Sequence, residues 1–436
     1  MTSGFLGFWF KTARLIEPNP PKHSVSFPNF AIQPADPKRD RLVTTYLSGL
    51  AQQGFAANNQ GIWIQTTDNL LADRQGHVLQ TPASLTKVAT TLAALKTWGP
   101  KHQFQTQIQV LGQVLDGGVL QGDLLIQCDG DPLLVTSEAI SIGNQLNQLG
   151  LRKVTGNLII GGPLSINFSQ DIVAGGDRLK QIWNSTQWTP DIEQVHRWMP
   201  KGTPKPTLIV EGGSREDNLN PFENRIGKPL LNHTSPPLSD LLKYMNVYSN
   251  NHMAEWFTDR LGGPEAIRKI AIQTGRISPK EIILKNGSGL EQNNKLSPRA
   301  VVGLFQAIQV ELQPHHLTLE TLFPVMGQDK GTVEKRQMPP ATVVKTGTLW
   351  NTSGLAGMIQ TRRYGPVWFA VMNRGEDYTD GFRNAQDRFL KSLVDYWGTD
   401  LERSDRPLPD PVMPDPATLQ RRTLLNRFMQ NDYLSH

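Results

Sequence analysis

The clearest periodic signal runs from Ser84 to about Trp98, where Val88, Leu92 and Leu95 recur at helical spacing and Gly99-Pro100 supplies a stop. Upstream, Leu42 to Gln53 fits a short helix and Gly61-Ile62-Trp63-Ile64-Gln65-Thr66 alternates like a strand. Beyond Gln103 the period changes. Phe104 to Leu111 alternates, Asp116-Gly117-Gly118 breaks the run, and Val119 to Gln127 resumes it, which predicts a β-hairpin. A helix over 137–149 and strands over 156–160 and 207–210 follow. A separate folded α/β piece is therefore expected, because so long an unstructured connection is rare inside a compact domain. Trp183, Trp188 and Trp198 fall in a loop-rich polar stretch and read as packed rings in preference to a sugar-stacking surface. From Ser235 helical spacing returns through Leu242, Met245 and Tyr248, then Trp256 and Leu261, up to Gly262-Gly263. Two more helices are expected over 264–274 and 298–309. Strands over 342–350, 354–361 and 367–373 predict an antiparallel meander, and 381–397 an amphipathic helix presenting Phe389, Leu390, Leu393, Val394 and Trp397 on one face.

Composition narrows the class of protein. Hydrophobic residues make up 38% and charged residues 19% of 436, a globular balance with room for two large or three average domains. The net charge of +5 includes no block of five like charges, so nucleic-acid binding is not indicated. The single cysteine, Cys128, excludes an intrachain disulfide and a multi-cysteine metal site, and reads as a small buried hydrophobe. Six prolines between Glu17 and Arg41, and five more from Pro407 to Pro416, mark an extended leader and a tail. The expected division is a leader over 1–39, a body from 40–104 and 229–400, an inserted α/β region over 105–228, and a tail over 401–436. Near the start, Phe5-Leu6-Gly7-Phe8-Trp9-Phe10 is apolar, but Lys11 and Arg14 follow it where a secretory signal has its charges first. It is too short to span a bilayer. A degenerate export signal, an anchor giving weak membrane-surface association and a mis-set start codon all fit.

Candidate chemistry begins at Ser84-x-x-Lys87. On a helix these side chains share a face, which suits a serine nucleophile with a lysine base. Lysine acts as a base only when neutral, and bringing its pKa to about 7 or 8 means destabilising the charged form by about 4 kcal/mol. Ser-x-x-Lys alone arises by chance about once in a chain of this length. Two further stretches give it weight. Lys345-Thr346-Gly347-Thr348 lies in the first strand of the meander, where a lysine and two hydroxyls can hold a carboxylate and the glycine allows close backbone approach. Tyr248-Ser249-Asn250-Asn251 interrupts a helical pattern with residues that prefer caps and bends. Ser165-Ile166-Asn167 also matches Ser-x-Asn, but it sits in the β-rich insert without a helical context.

Ser84-x-x-Lys87, Ser249-x-Asn251 and Lys345-Thr346-Gly347 together resemble the three motifs of the penicillin-recognising serine enzymes. About 165 residues separate Ser84 from Ser249, room for a whole domain. That spacing resembles the low-molecular-mass class C penicillin-binding proteins, the D-alanyl-D-alanine carboxypeptidase/endopeptidase family, in preference to class A β-lactamases. The likeness extends over about residues 40 to 398 through Pro82-Ala83-Ser84, Gly122-Asp123-Leu124, Gly130-Asp131-Pro132, Asn286-Gly287-Ser288-Gly289-Leu290, Asn294, Leu296-Ser297-Pro298 and Leu355-Ala356-Gly357. Two departures stand out: Asn286 occupies a usual Asp position, and Gly162-Pro163 replaces an acidic position in the insert.

The resemblance implies an α/β (α+β) fold, a serine β-lactamase/transpeptidase-like domain with an antiparallel sheet flanked by helices and a β-rich insert. It implies Ser84 as nucleophile, Lys87 as base, Ser249 as proton relay and Asn251 as the group orienting Lys87 and substrate. Lys345, Thr346, Gly347 and Thr348 are implied to bind substrate, with backbone N–H groups of Ser84 and Thr348 as the oxyanion hole. It implies no cofactor and no metal, peptidoglycan stem peptides as substrates, β-lactam antibiotics as inhibitors, and a periplasmic or cell-envelope location; oligomeric state stays open. A β-lactamase and a non-catalytic peptidoglycan-binding protein are the rival classes. His315-His316 reads as a solvated loop, Asp129-Gly130-Asp131 as a turn, and Glu255 equally as a support for the site or as an exposed helix residue.

Overall fold

The computed structural model describes residues 31–32, 36–217 and 227–399. Most of the expected leader and the whole of the expected tail lie outside the described residues. The first helix, Pro37–Gln52, starts five residues before the expected Leu42, with Asp36 accepting from Arg39 N as its N-cap and proline in its first turn.

Six strands form the central sheet in the order Ala31–Ile32, Asn69–Arg74, Gln60–Gln65, Gly365–Arg374, Thr352–Thr361 and Val343–Leu349. The last three are the expected meander, paired antiparallel with Lys345 opposite Ala356 and Ala356 opposite Ala370. Both faces of this sheet are covered, and the period of two sends alternate residues to different cores. Val344, Leu355, Phe369 and Val371 pack under the helices Pro37–Gln52 and Thr379–Trp397. Val343, Ala356, Ala370 and Met372 face the helices Thr86–Trp98 and Pro298–Leu312.

Thr86–Trp98 is more deeply placed than its one apolar stripe predicts: every residue from Thr86 to Leu95 is buried. Its hydroxyls are paired accordingly, Thr86 Oγ1 donating to Ala83 O, Thr90 Oγ1 to Gly287 O, and Thr91 Oγ1 accepting from Asn246 Nδ2.

The inserted region has its own seven-stranded sheet and its own core, in which Ile108, Leu124, Ile126, Ile140, Ile160 and Trp183 meet. The hairpin Gln105–Leu115/Val119–Cys128 leads it, and Lys228–Thr234 pairs antiparallel with Gln105–Leu115. The chain therefore returns to the body at Ser235, not at 229 as expected. There the two crossings are tied together, Ser235 N donating to Phe104 O at 2.8 Å and Phe104 N to Ser235 Oγ at 2.9 Å. The stretch read as loop-rich carries the helix Pro190–Trp198 and follows a second one, Ile172–Trp183. Trp183 is fully buried and its indole N–H donates to Ala139 O, while that of Trp188 donates to Ile182 O, so both rings are packed.

Candidate active site

Ser84 sits on the 3-10 turn Ala83–Leu85, immediately before the helix Thr86–Trp98 and not in its first α-helical turn. Ala83 takes a left-handed φ of 48°, which lifts the serine out of the helix axis. Lys87, three residues on, is completely buried, and its Nζ lies 3.0 Å from Ser84 Oγ, 2.7 Å from Asn251 Oδ1 and 2.7 Å from Ser288 O. The two shorter contacts go to obligate acceptors. With the amine neutral, its two N–H donors would serve Asn251 and Ser288 and leave the lone pair for the Ser84 hydroxyl.

Burial favours that neutral form. The Lys87 pKa falls well below its ordinary value, first because the amine is removed from water and second because the Lys345 charge is near; the Glu255 carboxylate opposes both. Lys345 is itself buried, with its pKa pushed down to about 7 by the loss of water. Its Nζ donates to Ser249 Oγ at 3.0 Å and to Thr346 O at 2.9 Å.

Local structure explains how these groups converge. The interruption at Tyr248-Ser249-Asn250 is a break between the helices Leu238–Val247 and Asn251–Arg260, with Ser249 at φ 54° and Asn250 capping the second helix by accepting from Met253 N. Gly347 runs so close to the Ser84 turn that a Cβ there would lie 2.6 Å from Pro82 O and 3.2 Å from Ser84 N. Thr346 is buried and Thr348 exposed on the same strand.

Three contributors escape a reading of motifs. The Ser288 carbonyl is a backbone atom, and only the Asn-Gly-Ser-Gly turn hints at it. Glu255 proves to be a support: its Oε2 accepts from Gly287 N at 3.2 Å and its Oε1 from Ser288 N at 3.0 Å, fixing the turn that holds Lys87. Its place one helical turn after Asn251 was the available signal. Arg383, whose Nη2 donates to Thr348 Oγ1 at 2.9 Å, left none. Asn286 closes the same turn by accepting from Gly289 N and donating to Ser288 Oγ, so amide in place of carboxylate keeps the turn intact. The insert reaches this helix as well, Gly130 O accepting from Trp256 Nε1 at 3.1 Å. Ser165-Ile166-Asn167 stays in the insert, where Asn167 Oδ1 accepts from Thr136 N. Cys128 is buried with its thiol pushed up to about 12 by loss of water.

Solved structures share this architecture. The predatory endopeptidase Bd0816 of Bdellovibrio bacteriovorus, solved with immunity protein Bd3460, matches 77% of this chain and 93% of its own at TM-score 0.64 and 18% identity. A penicillin G-acylated form of the Bdellovibrio endopeptidase Bd3459 matches 77% and 91% at TM-score 0.63 and 21% identity. Penicillin-binding protein 4 of Haemophilus influenzae, complexed with a β-lactam, matches 81% and 99% at TM-score 0.57 and 22% identity. The fold is that of the penicillin-binding serine hydrolases. The sequence profile of the D-Ala-D-Ala carboxypeptidase 3 (S13) family matches residues 44–168 and 209–393, and the chain belongs to that family. It is an enzyme of the serine D,D-peptidase class. The D-alanyl-D-alanine carboxypeptidase DacB of Haemophilus influenzae is 24% identical, covering 81% of this chain and 90% of the relative.

Proposed function

We propose that this chain cleaves the bond after D-alanine in peptidoglycan stem peptides, as a carboxypeptidase on terminal D-Ala-D-Ala and as an endopeptidase on D-alanyl cross-links. The observation that carries the reading is the buried Lys87 amine 3.0 Å from Ser84 Oγ with its other two contacts made to acceptors. Ser84 Oγ bonds to the carbonyl carbon as Lys87 takes its proton; Ser249 passes a proton to the leaving amine as the C–N bond breaks. Water then adds to the ester, releases the acid and restores the serine proton. Asn251 orients Lys87, Lys345 with Thr346 and Thr348 holds the carboxylate beside the scissile amide, and Gly347 lets the strand approach. N–H groups of Ser84 and Thr348 form the oxyanion hole, whose single donors are worth about 3 to 4 kcal/mol.

Each Glu255 oxygen accepts from a backbone N–H of the turn that holds Lys87, which favours a supporting role for this carboxylate over that of a base for the deacylating water. A β-lactam, whose leaving group stays tethered, should therefore stall as an acyl-enzyme. A peptidoglycan substrate supports a periplasmic or cell-envelope location. No helix among the described residues is long and apolar enough to cross a membrane. Fluorescent penicillin should label the protein covalently and Ser84→Ala should not label at all; normal labelling of Ser84→Ala refutes the assignment. Rapid turnover of penicillin would instead make the protein a β-lactamase, and mass analysis of pentapeptide and cross-linked muropeptide digests separates the two peptidase activities.

A further inference from the structure

The break that carries Ser249 is supported from behind. The helix leading to it, Leu238–Val247, ends at Val247, whose carbonyl accepts from Thr332 Oγ1 at 3.2 Å. Gly331 runs against the same peptide at φ 67°, so close that a Cβ there would lie 2.5 Å from Val247 O. One turn earlier on the helix, Lys243 Nζ donates to Glu320 O at 2.9 Å, Phe323 O at 2.6 Å and Asp329 Oδ2 at 2.7 Å. An ammonium has three N–H donors, and here each meets an acceptor.

Asp329 carries the contact onward. Its Oδ2 also accepts from Val325 N at 2.8 Å, and the residues on either side of Val325 are bound to the strand Val343–Leu349 and its approach. Val344 N donates to Pro324 O at 3.0 Å, and Met326 N to Thr342 O at 2.9 Å. The segment 320–333 thus bridges the helix that leads to Ser249 and the strand that bears Lys345, the two residues whose side chains meet at 3.0 Å. Ser249 itself sits at φ 54°, a left-handed conformation that a non-glycine residue keeps only where its surroundings hold it. A group that passes a proton along a hydrogen bond tolerates little misplacement.

We propose that Lys243, Asp329 and Thr332 are positioning residues that hold the Ser249 hydroxyl where it protonates the leaving nitrogen. This rests on the D,D-peptidase reading above. On that reading, the proton Lys87 takes from Ser84 returns through the Ser249 hydroxyl to the nitrogen as the C–N bond breaks, so the amine leaves neutral and Lys87 is again a free base. A thiolate needs no such proton, because it leaves as a stable anion when a C–S bond breaks.

The test therefore compares an N-acylated peptide ending in D-Ala-D-Ala with the same peptide whose scissile nitrogen is replaced by sulfur. Both give the same acyl-enzyme, so kcat/KM reports acylation in each case and the comparison isolates the leaving group. Lys243→Met combined with Asp329→Asn removes both charges and leaves neither unpaired. It lowers kcat/KM for the amide about tenfold and leaves the thioester within about twofold. Thr332→Val, which keeps the ion pair, lowers the amide about threefold and carries the test should the double variant fail to fold. Added to Ser249→Ala, either change costs the amide less than about twofold more, because groups that act as one unit do not add. Equal loss on amide and thioester, no loss on the amide, or full additivity with Ser249→Ala overturns the proposal. A wild type that cleaves neither substrate, with normal labelling of Ser84→Ala, would instead refute the D,D-peptidase reading.

Discussion

Replacing Lys345 by methionine removes an amine that has no water contact and whose pKa is pushed from 10.5 down to about 7 by burial. The unfolded chain keeps the proton up to about pH 10.5, whereas the folded protein gives it up near pH 7. Between those values the unfolded state binds more protons, so stability rises with pH. The full difference is about 5 kcal/mol, at about 1.4 kcal/mol per pH unit, and about 2 kcal/mol of it falls between pH 7 and 9. Urea unfolding of the wild type and Lys345→Met at pH 7, 8 and 9 reads this directly. The wild type should gain about 2 kcal/mol more than the variant across that span. Lys87, also lowered, recovers part of its shift once the Lys345 charge is gone, which weakens the variant's rise with pH in the same sense; Tyr248 and Cys128, each raised to about 12 by burial and working in the opposite direction at higher pH, are common to both proteins. At pH 7 the variant gains by losing a buried amine and loses about 1 to 3 kcal/mol for each of Ser249 Oγ and Thr346 O left without that donor. The difference in slope, not the absolute stability, is therefore the decisive quantity. Parallel curves for the two proteins would show that Lys345 is protonated in the folded state throughout and refute the reasoning.

Two further perturbations address the geometry around Ser84. Glu255→Gln should leave the fold intact and lower kcat about tenfold or more through a looser Ser288 turn; because Glu255 holds the Lys87 pKa up, the acid limb of the kcat/KM profile should move to lower pH, and a shift to higher pH would contradict the role. Gly347→Ala should cut penicillin acylation at least about a hundredfold with an unchanged far-ultraviolet spectrum, since the new Cβ would press on Pro82 O and Ser84 N; acylation at the wild-type rate would show that the strand yields without cost.

Periodicity located the helix after Ser84 and the three-stranded meander because both are long, the helix running through one large core and the meander lying between two. It failed over 172–198. There Gly175-Gly176 depresses helical propensity, yet Gly176 is small for a packing reason: a Cβ would lie 2.7 Å from Ile160 Cδ1, where the helix settles on the inserted sheet. The local start signals there are Asp171, which caps the first helix, and Thr189-Pro190, which opens the second. The site residues were legible because Ser84, Lys87, Ser249, Asn251 and Lys345 are side chains in ordered motifs. The Ser288 carbonyl, the Glu255 clamp and the Arg383–Thr348 contact depend on how loops and helices pack; a turn motif and a one-turn spacing hint at the first two, and no local pattern encodes the third. The depressed pKa values belong to the same category, since each is set chiefly by burial that only the assembled structure creates.

The two buried lysines are best understood together with the substrate. With Lys345 near pKa 7, the empty site at neutral pH holds that amine only partly protonated, and the charge that would keep Lys87 neutral is only partly present. On the proposed reading, a substrate carboxylate arriving at Lys345, Thr346 and Thr348 raises the Lys345 pKa and completes its charge. That charge in turn disfavours protonation of Lys87, whose Nζ lies 3.0 Å from Ser84 Oγ. The carboxylate is then more than a handle for affinity: its binding sharpens the base. A substrate without it would lose acylation rate as well as binding, so kcat and KM should both respond to its removal.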